Sequence, residues 1–201
     1  MDQRYLPFKN LEFRSDDTEN PTIEGYFVVF DDVYAVCPGA TESIRAGAFD
    51  ESINGDVRAL YNHNPDLILG RTSAGTLELR QDKKGLWGKI TVNKADSDAM
   101  NAYERIKRGD VTGASFGFDI EDEDFEREDN GDIHWIIKKV NPLYEISPCT
   151  FPAYKATDIS ARSEQVAELN EQRRQELLKD WRKKQHERME EMRHGAESAD
   201  V

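Results

Sequence analysis

Short runs in which apolar and polar residues alternate, broken by Gly, Pro, Asn and Asp, fill most of the chain and predict strands. Leu6, Phe8, Leu11 and Phe13 suggest a first strand after Pro7, followed by a turn over residues 16–21. Residues 22–30, rich in aromatic and β-branched side chains, give the strongest strand pattern, with Gly25 marking a bulge or a crowded barrel corner. Residues 33–48 read as loop around Cys37, Pro38 and Gly39, and residues 50–54 as a short helix closed by Gly55. A strand over residues 57–63 should run up to Asn64 and Pro65 and stop there, because the residue before a proline is pushed to extended geometry. That places His63 at a strand end. Residues 67–72, 75–80 and 85–92 continue as extended pieces, the last two joined by a polar loop at 81–85, and read as an antiparallel meander.

A helix opens at Asp96, Ser97 and Asp98, repeats Met100, Tyr103 and Ile106 at helical spacing, and closes on Lys107, Arg108 and Gly109. It delivers the chain to residues 111–118, where Ser115 stands between Gly113 and Gly117 and Phe116 and Phe118 share one strand face. The serine then faces the other way. Residues 119–132 hold nine acidic residues against one arginine and read as a solvated hairpin tip or mobile loop. Two strand-like runs, 133–140 and 142–148, lead into an irregular apolar segment at 149–154. From residue 161 to 193 nine basic and eight acidic residues occur without Gly or Pro, a long charged helix ending at Gly195. Its apolar stripe (Val166, Leu169, Leu177, Leu178, Trp181, Met189, Met192) is thin and broken, so the helix needs a partner surface or stays partly free. The expected division is a β domain over residues 1–160 and a charged helical extension over 161–201.

Composition narrows the function. A formal charge of -13 argues against a nucleic-acid partner, and no run of eighteen apolar residues predicts a membrane span. Met1 to Arg4 lack the apolar segment that follows the basic end of a secretory signal, so a cytosolic protein is expected. Mean hydropathy of -0.78 is low for a compact domain and fits a solvated helix or tail. Two cysteines, Cys37 and Cys149, are too few for a disulfide scaffold and too far apart for a metal motif; both are expected reduced and buried. No metal or cofactor is implied.

A serine hydroxyl attacks only when a base takes its proton, and an imidazole base needs a third group to hold its tautomer. Among four histidines, His186 and His194 lie in the charged tail and His134 beside the acidic stretch, which leaves His63. Glu145 is the one acid in an otherwise apolar run, and a buried carboxylate calls for a partner. Spacing alone leaves other readings open. Ser115 could be a small residue in a tight strand, Glu145 an edge-strand ion pair, His63 a loop-end side chain satisfied by backbone, and Cys149 an alternative nucleophile.

Glu24-Gly25-Tyr26, Pro38-Gly39 with Gly47-Ala48-Phe49, Leu60 to Asn64, Gly85-Leu86-Trp87, Gly109-Asp110, Ser115 to Phe118, and Glu145-Ile146-Ser147 with Phe151 to Tyr154 occur in that order. Over residues 23–160 this series resembles the prohead maturation proteases of tailed bacteriophages, of the HK-ninety-seven type, whose fold is related to the herpesvirus assemblin proteases. The resemblance implies a mainly β fold with flanking helices, built on a closed antiparallel barrel. It also implies a serine endopeptidase with catalytic Ser115 and His63, with Glu145 in the place that a second histidine takes in assemblin. By analogy, oxyanion donors are backbone N–H groups of Cys149, Thr150 and Phe151. Implied substrates are the phage's scaffold protein or the scaffold-like segment of its major capsid protein, and the protease itself, inside the immature procapsid in the host cytoplasm. A homodimer is known in the assemblin relatives. The competing reading is an inactive assembly or scaffolding factor on the same barrel, whose mark would be a missing Ser or His.

Overall fold

The computed structural model describes the backbone of residues 21–151 and 156–197, and the side chains of residues 21–151 and 162–188. The strand expected around Leu6 to Phe13 lies outside the described residues. The fold is mainly β with two α-helices. Strands β1 (Thr22–Val29), β2 (Tyr34–Cys37), β3 (Ala40–Ile44), β4 (Arg58–Tyr61), β5 (Asn64–Arg71), β6 (Leu77–Gln81) and β7 (Gly85–Thr91) precede helix α1 (Ser97–Arg108). Two long strands, β8 (Gly113–Arg127) and β9 (Ile133–Cys149), and helix α2 (Ala156–Glu197) follow.

One sheet is antiparallel, in the order β1-β7-β6; the other runs β2-β3-β9-β4-β5, with β8 also on β9. Since β8 pairs with β9 along its whole length, β3 and β4 share the opposite edge of β9, at its two ends and both parallel to it. The second sheet is therefore mixed, and the pairings among the described residues do not close either sheet into a barrel. The expected meander also divides, because β5 and β6 fall in different sheets. Both sheets and α1 bury one common core, in which Phe49 meets Phe116 edge-on at 5.9 Å and Phe116 stacks on Phe118 at 4.6 Å. The two phenylalanines of the serine strand do share the core face. The Asp96 side chain caps α1 by accepting from the N–H groups of Asp98 and Ala99, and Gly109 ends it at φ 87°.

Several elements depart from the sequence pattern for physical reasons. Residues 34–44 form a hairpin, not a loop; β3 carries Thr41, Glu42 and Ser43, polar residues that alternation rules discount, yet it is buried between β2 and β9. The bulge in β1 lies between Tyr26 and Val28, while Gly25 pairs regularly with Gly88. Pro65 does not stop a strand: β4 ends at Tyr61 and β5 begins at Asn64. The acidic stretch is strand up to Arg127, pairing with β9 as far as Ile133, and β9 runs unbroken through Asn141 and Pro142. Lys138 and Lys139 of β9 each bridge two carboxylates, Asp122 with Asp124 and Glu51 with Glu121, which relieves part of the repulsion along this ribbon. Helix α2 starts at Ala156 and continues through Gly195.

The first turns of α2 are docked. Val166 and Leu169 pack on a small cluster of Cys37, Ala40, Ile133 and Trp135. Beside them the fully buried Arg162 guanidinium donates to Glu42 Oε2 and to both carboxylate oxygens of Glu123, and lies 4.4 Å over the Trp135 ring. Tyr34 donates to the other oxygen of Glu42 at 2.7 Å. This ion triad replaces lost water with charge-assisted hydrogen bonds, and removing its cation strands a buried carboxylate. Arg162→Ala should lower the stability of the protein by about 3 kcal/mol and expose α2 to limited proteolysis, read by thermal unfolding and by the rate of cleavage within residues 156–188.

Candidate active site

The site grows from one face of the β8–β9 ladder. On β9, Glu145, Ser147 and Cys149 alternate to the same side, away from Ile146, which is buried in the core. Opposite them on β8 stand Gly117, Ser115 and Gly113, in register with Glu145, Ser147 and Cys149 respectively. The long Glu145 side chain on β9 thus faces Gly117 on β8. Gly117 is required by space: a Cβ there would lie 2.8 Å from Glu145 Oε1.

His63 arrives from the side on a two-residue turn between β4 and β5, with Asn62 at φ 53° and His63 at φ 58°. Two successive left-handed residues match the twist of a tight hairpin, and Asn tolerates that region better than most side chains. The turn is stitched to the end of β9. Asn62 donates its N–H to Pro148 O at 3.0 Å, and its Oδ1 accepts the Thr150 N–H at 2.8 Å. These bonds hold the imidazole over β9.

His63 Nδ1 lies 2.7 Å from Glu145 Oε1. An ionised carboxylate only accepts, so this contact assigns the proton to Nδ1 and leaves the Nε2 lone pair as the base. Glu145 Oε2 accepts from Ser147 Oγ at 2.5 Å, so both oxygens of this buried carboxylate are satisfied. His63 Nε2 is 3.4 Å from Cys149 Sγ. Burial pushes the Cys149 thiol up to about 12, and the negative charge of Glu145 adds to the shift, so the sulfur stays protonated near neutral pH. Ser115 Oγ is fully buried and has no hydrogen-bond partner among the described residues. It is directly across from Ser147 and diagonal to Cys149, and such diagonal Cβ atoms lie about 7 Å apart or less. No hydrogen bond joins the imidazole to Ser115 in this conformation.

The structure thus brings His63, Glu145 and Cys149 into contact and leaves Ser115 one ladder position away. Of the expected oxyanion donors, the Thr150 N–H is committed to Asn62, and Phe151 follows the end of β9 with its ring exposed. The two cysteines are free and buried. His134 is accounted for elsewhere, with Thr41 Oγ1 on Nδ1 and Ser43 Oγ on Nε2. Asn62 and Ser147 were not singled out from the sequence. Their signals were present, as an Asn before the candidate histidine and a hydroxyl two residues beyond the candidate acid. Among the described residues no group of three or more His, Cys, Asp and Glu is placed to hold a metal ion. No helix among them is long and apolar enough to cross a membrane.

A hydroxyl on a crowded strand, beside an imidazole whose far nitrogen rests on a buried carboxylate, is the equipment of a serine peptidase. Residues 9–172 match the family described as Caudovirus prohead serine protease, and the chain belongs to that family. It is 29% identical over 161 residues to the prohead protease of Enterobacteria phage HK97, a match covering 78% of this chain and 67% of that protein. No solved structure matches the chain.

Filling the space that Gly117 leaves open tests the geometry without touching a polar group. Its φ is not in the left-handed region, and the only close neighbour of an added Cβ is the Glu145 side chain. Gly117→Ala should displace the carboxylate from His63, cut proteolysis at least 10-fold and lower stability by about 1–3 kcal/mol as a buried oxygen loses its donor, read by cleavage rate and by denaturant unfolding.

Proposed function

We propose that Ser115, His63 and Glu145 are the nucleophile, base and orienting acid with which this capsid-maturation protease cleaves peptide bonds. The observation that carries the reading is the 2.7 Å contact of His63 Nδ1 with Glu145 Oε1, placed over the strand that pairs with Ser115. In this mechanism Ser115 Oγ attacks the scissile carbonyl carbon as its proton passes to His63 Nε2. Glu145 offsets the imidazolium charge. The tetrahedral intermediate then collapses, His63 gives the proton to the leaving amine, and water repeats the sequence on the acyl-enzyme. For this the imidazole moves from Cys149 toward Ser115, as catalytic hydrogen bonds often tighten only around substrate. The proposed oxyanion donors are the N–H groups of Cys149 and Phe151, with that of Thr150 once released from Asn62, each worth about 3 kcal/mol of barrier.

The substrates in this reading are the scaffold protein or the scaffold-like segment of the major capsid protein, and the chain itself, enclosed with it in the immature procapsid. The acidic charge of -13 supports protein rather than nucleic-acid partners. The assemblin-like closed barrel and a homodimer belong to the same proposal, the barrel resting on the single core that both sheets share. Residues 1–160 would form the protease domain and 161–201 a tether that carries it into the particle. In α2, Arg162, Val166 and Leu169 face the body, whereas residues 171–188 carry seven Lys and Arg against four Asp and Glu and expose Leu177 and Trp181. A chain lacking residues 171–201 should cleave its substrate but fail to enter particles, measured by its abundance in purified proheads; normal packaging would sink the tether.

Cys149 lies nearer His63 Nε2 than a catalytic serine's rival should, so the nucleophile needs a direct test. Co-expressed with the cognate capsid and scaffold proteins, the wild type should give discrete products by intact mass. Ser115→Ala should give none, and Cys149→Ala should still give them. The opposite pattern would make this a cysteine peptidase.

A further inference from the structure

We infer that Ser147 is a positioning residue for the reaction, acting through Glu145; the inference rests on the catalytic assignment proposed above. A carboxylate with two buried oxygens needs a donor at each. His63 Nδ1 serves Oε1 at 2.7 Å and Ser147 Oγ serves Oε2 at 2.5 Å. Ser147 is itself fully buried, which limits the room for water to take over if its hydroxyl is removed.

Three consequences follow from this placement. First, with Oε2 tied down and Gly117 backing Oε1, the carboxylate cannot rotate about its terminal bond, and Oε1 stays aimed at His63 Nδ1. Second, the hydroxyl supplies Oε2 with a neutral donor. A second cation at that place would oppose the imidazolium; a hydroxyl does not. Third, a serine has one proton to donate, and that of Ser147 goes to Glu145. Ser147 stands directly across the ladder from Ser115, so committing its proton leaves the Ser115 hydroxyl, which has no partner among the described residues, for the imidazole.

The test compares cleavage rates of the full chain on its co-expressed capsid substrate for wild type, Ser147→Ala, Ser147→Thr, Glu145→Gln and the double variant Ser147→Ala with Glu145→Gln. Ser147→Ala should be slower by 10- to 100-fold, and Ser147→Thr, which keeps the donor, should recover to within about 5-fold of wild type. The double variant should be no slower than Glu145→Gln alone, because the hydroxyl acts only through the carboxylate. Should Ser147→Ala fold poorly, Ser147→Cys, of similar size and a weak donor, replaces it with the same expected loss. Wild-type rates in Ser147→Ala beside a slow Glu145→Gln would overturn the inference and leave the catalytic assignment standing. So would a double variant slower by the product of the two single effects. A Glu145→Gln protein as fast as wild type would instead remove Glu145 from the mechanism, and the role of Ser147 with it.

Discussion

A carboxylate set into the face of a β-sheet is the constraint around which this protein is arranged. Glu145 sits among paired strands where water is scarce, and an ionised group there is tolerated only if each oxygen has a donor and its bulk has room. The donors come from His63 and Ser147 and the room from Gly117. Each requirement dictates something else. Bringing His63 over β9 demands the tight left-handed turn between β4 and β5, which in turn demands Asn62 and its bonds to the end of β9. The glycines flanking Ser115 stand opposite Glu145 and Cys149, and Gly117 leaves the space that lodges the acid.

A second buried carboxylate is handled by the opposite device. Glu42 is matched by a full cation, Arg162, brought in by a helix from the far end of the chain. At Glu42 the need is attachment, and a strong, charged contact between distant segments supplies it, with two guanidinium N–H groups on Oε2. At Glu145, in the mechanism proposed above, a permanent cation would oppose the imidazolium that forms on His63. Neutral donors are the arrangement compatible with that chemistry, and the sheet contains one on each side.

What could be read in the sequence follows from how local its causes are. The aromatic run of β1, the capped helix α1 and the glycine-flanked serine are signalled within a few residues and recur in the structure. Strand β3 was not legible because Thr41, Glu42 and Ser43 become buried only through β9 and Arg162, more than ninety residues away. The acidic ribbon is not legible as strand because its charge density is high and register shifts between Gly117 and Glu123 break the alternation along β8. At the site, His63 is singled out by elimination and Glu145 as the lone acid of an apolar run, and the fold places the two in contact at 2.7 Å. The turn that carries His63 is not legible, since Pro65 suggests a stop where the chain in fact begins a new strand. Ser147 stands in the Glu145-Ile146-Ser147 motif without an assigned role, because a serine two residues from an acid gains meaning only when the strand places both on one face.

The position of Cys149 shows why proximity alone does not name a nucleophile. Its sulfur, not the Ser115 hydroxyl, is nearest His63 Nε2, yet burial and the charge of Glu145 both oppose the thiolate that nucleophilic attack would require. The carboxylate that holds the His63 ring makes Cys149 a worse anion. A serine is not penalised in this way, because it never becomes a free alkoxide: its proton leaves as the new bond forms, and the negative charge passes to the substrate oxygen. In the proposed mechanism the same electrostatic field therefore favours a neutral hydroxyl over an ionised thiol as the attacking group.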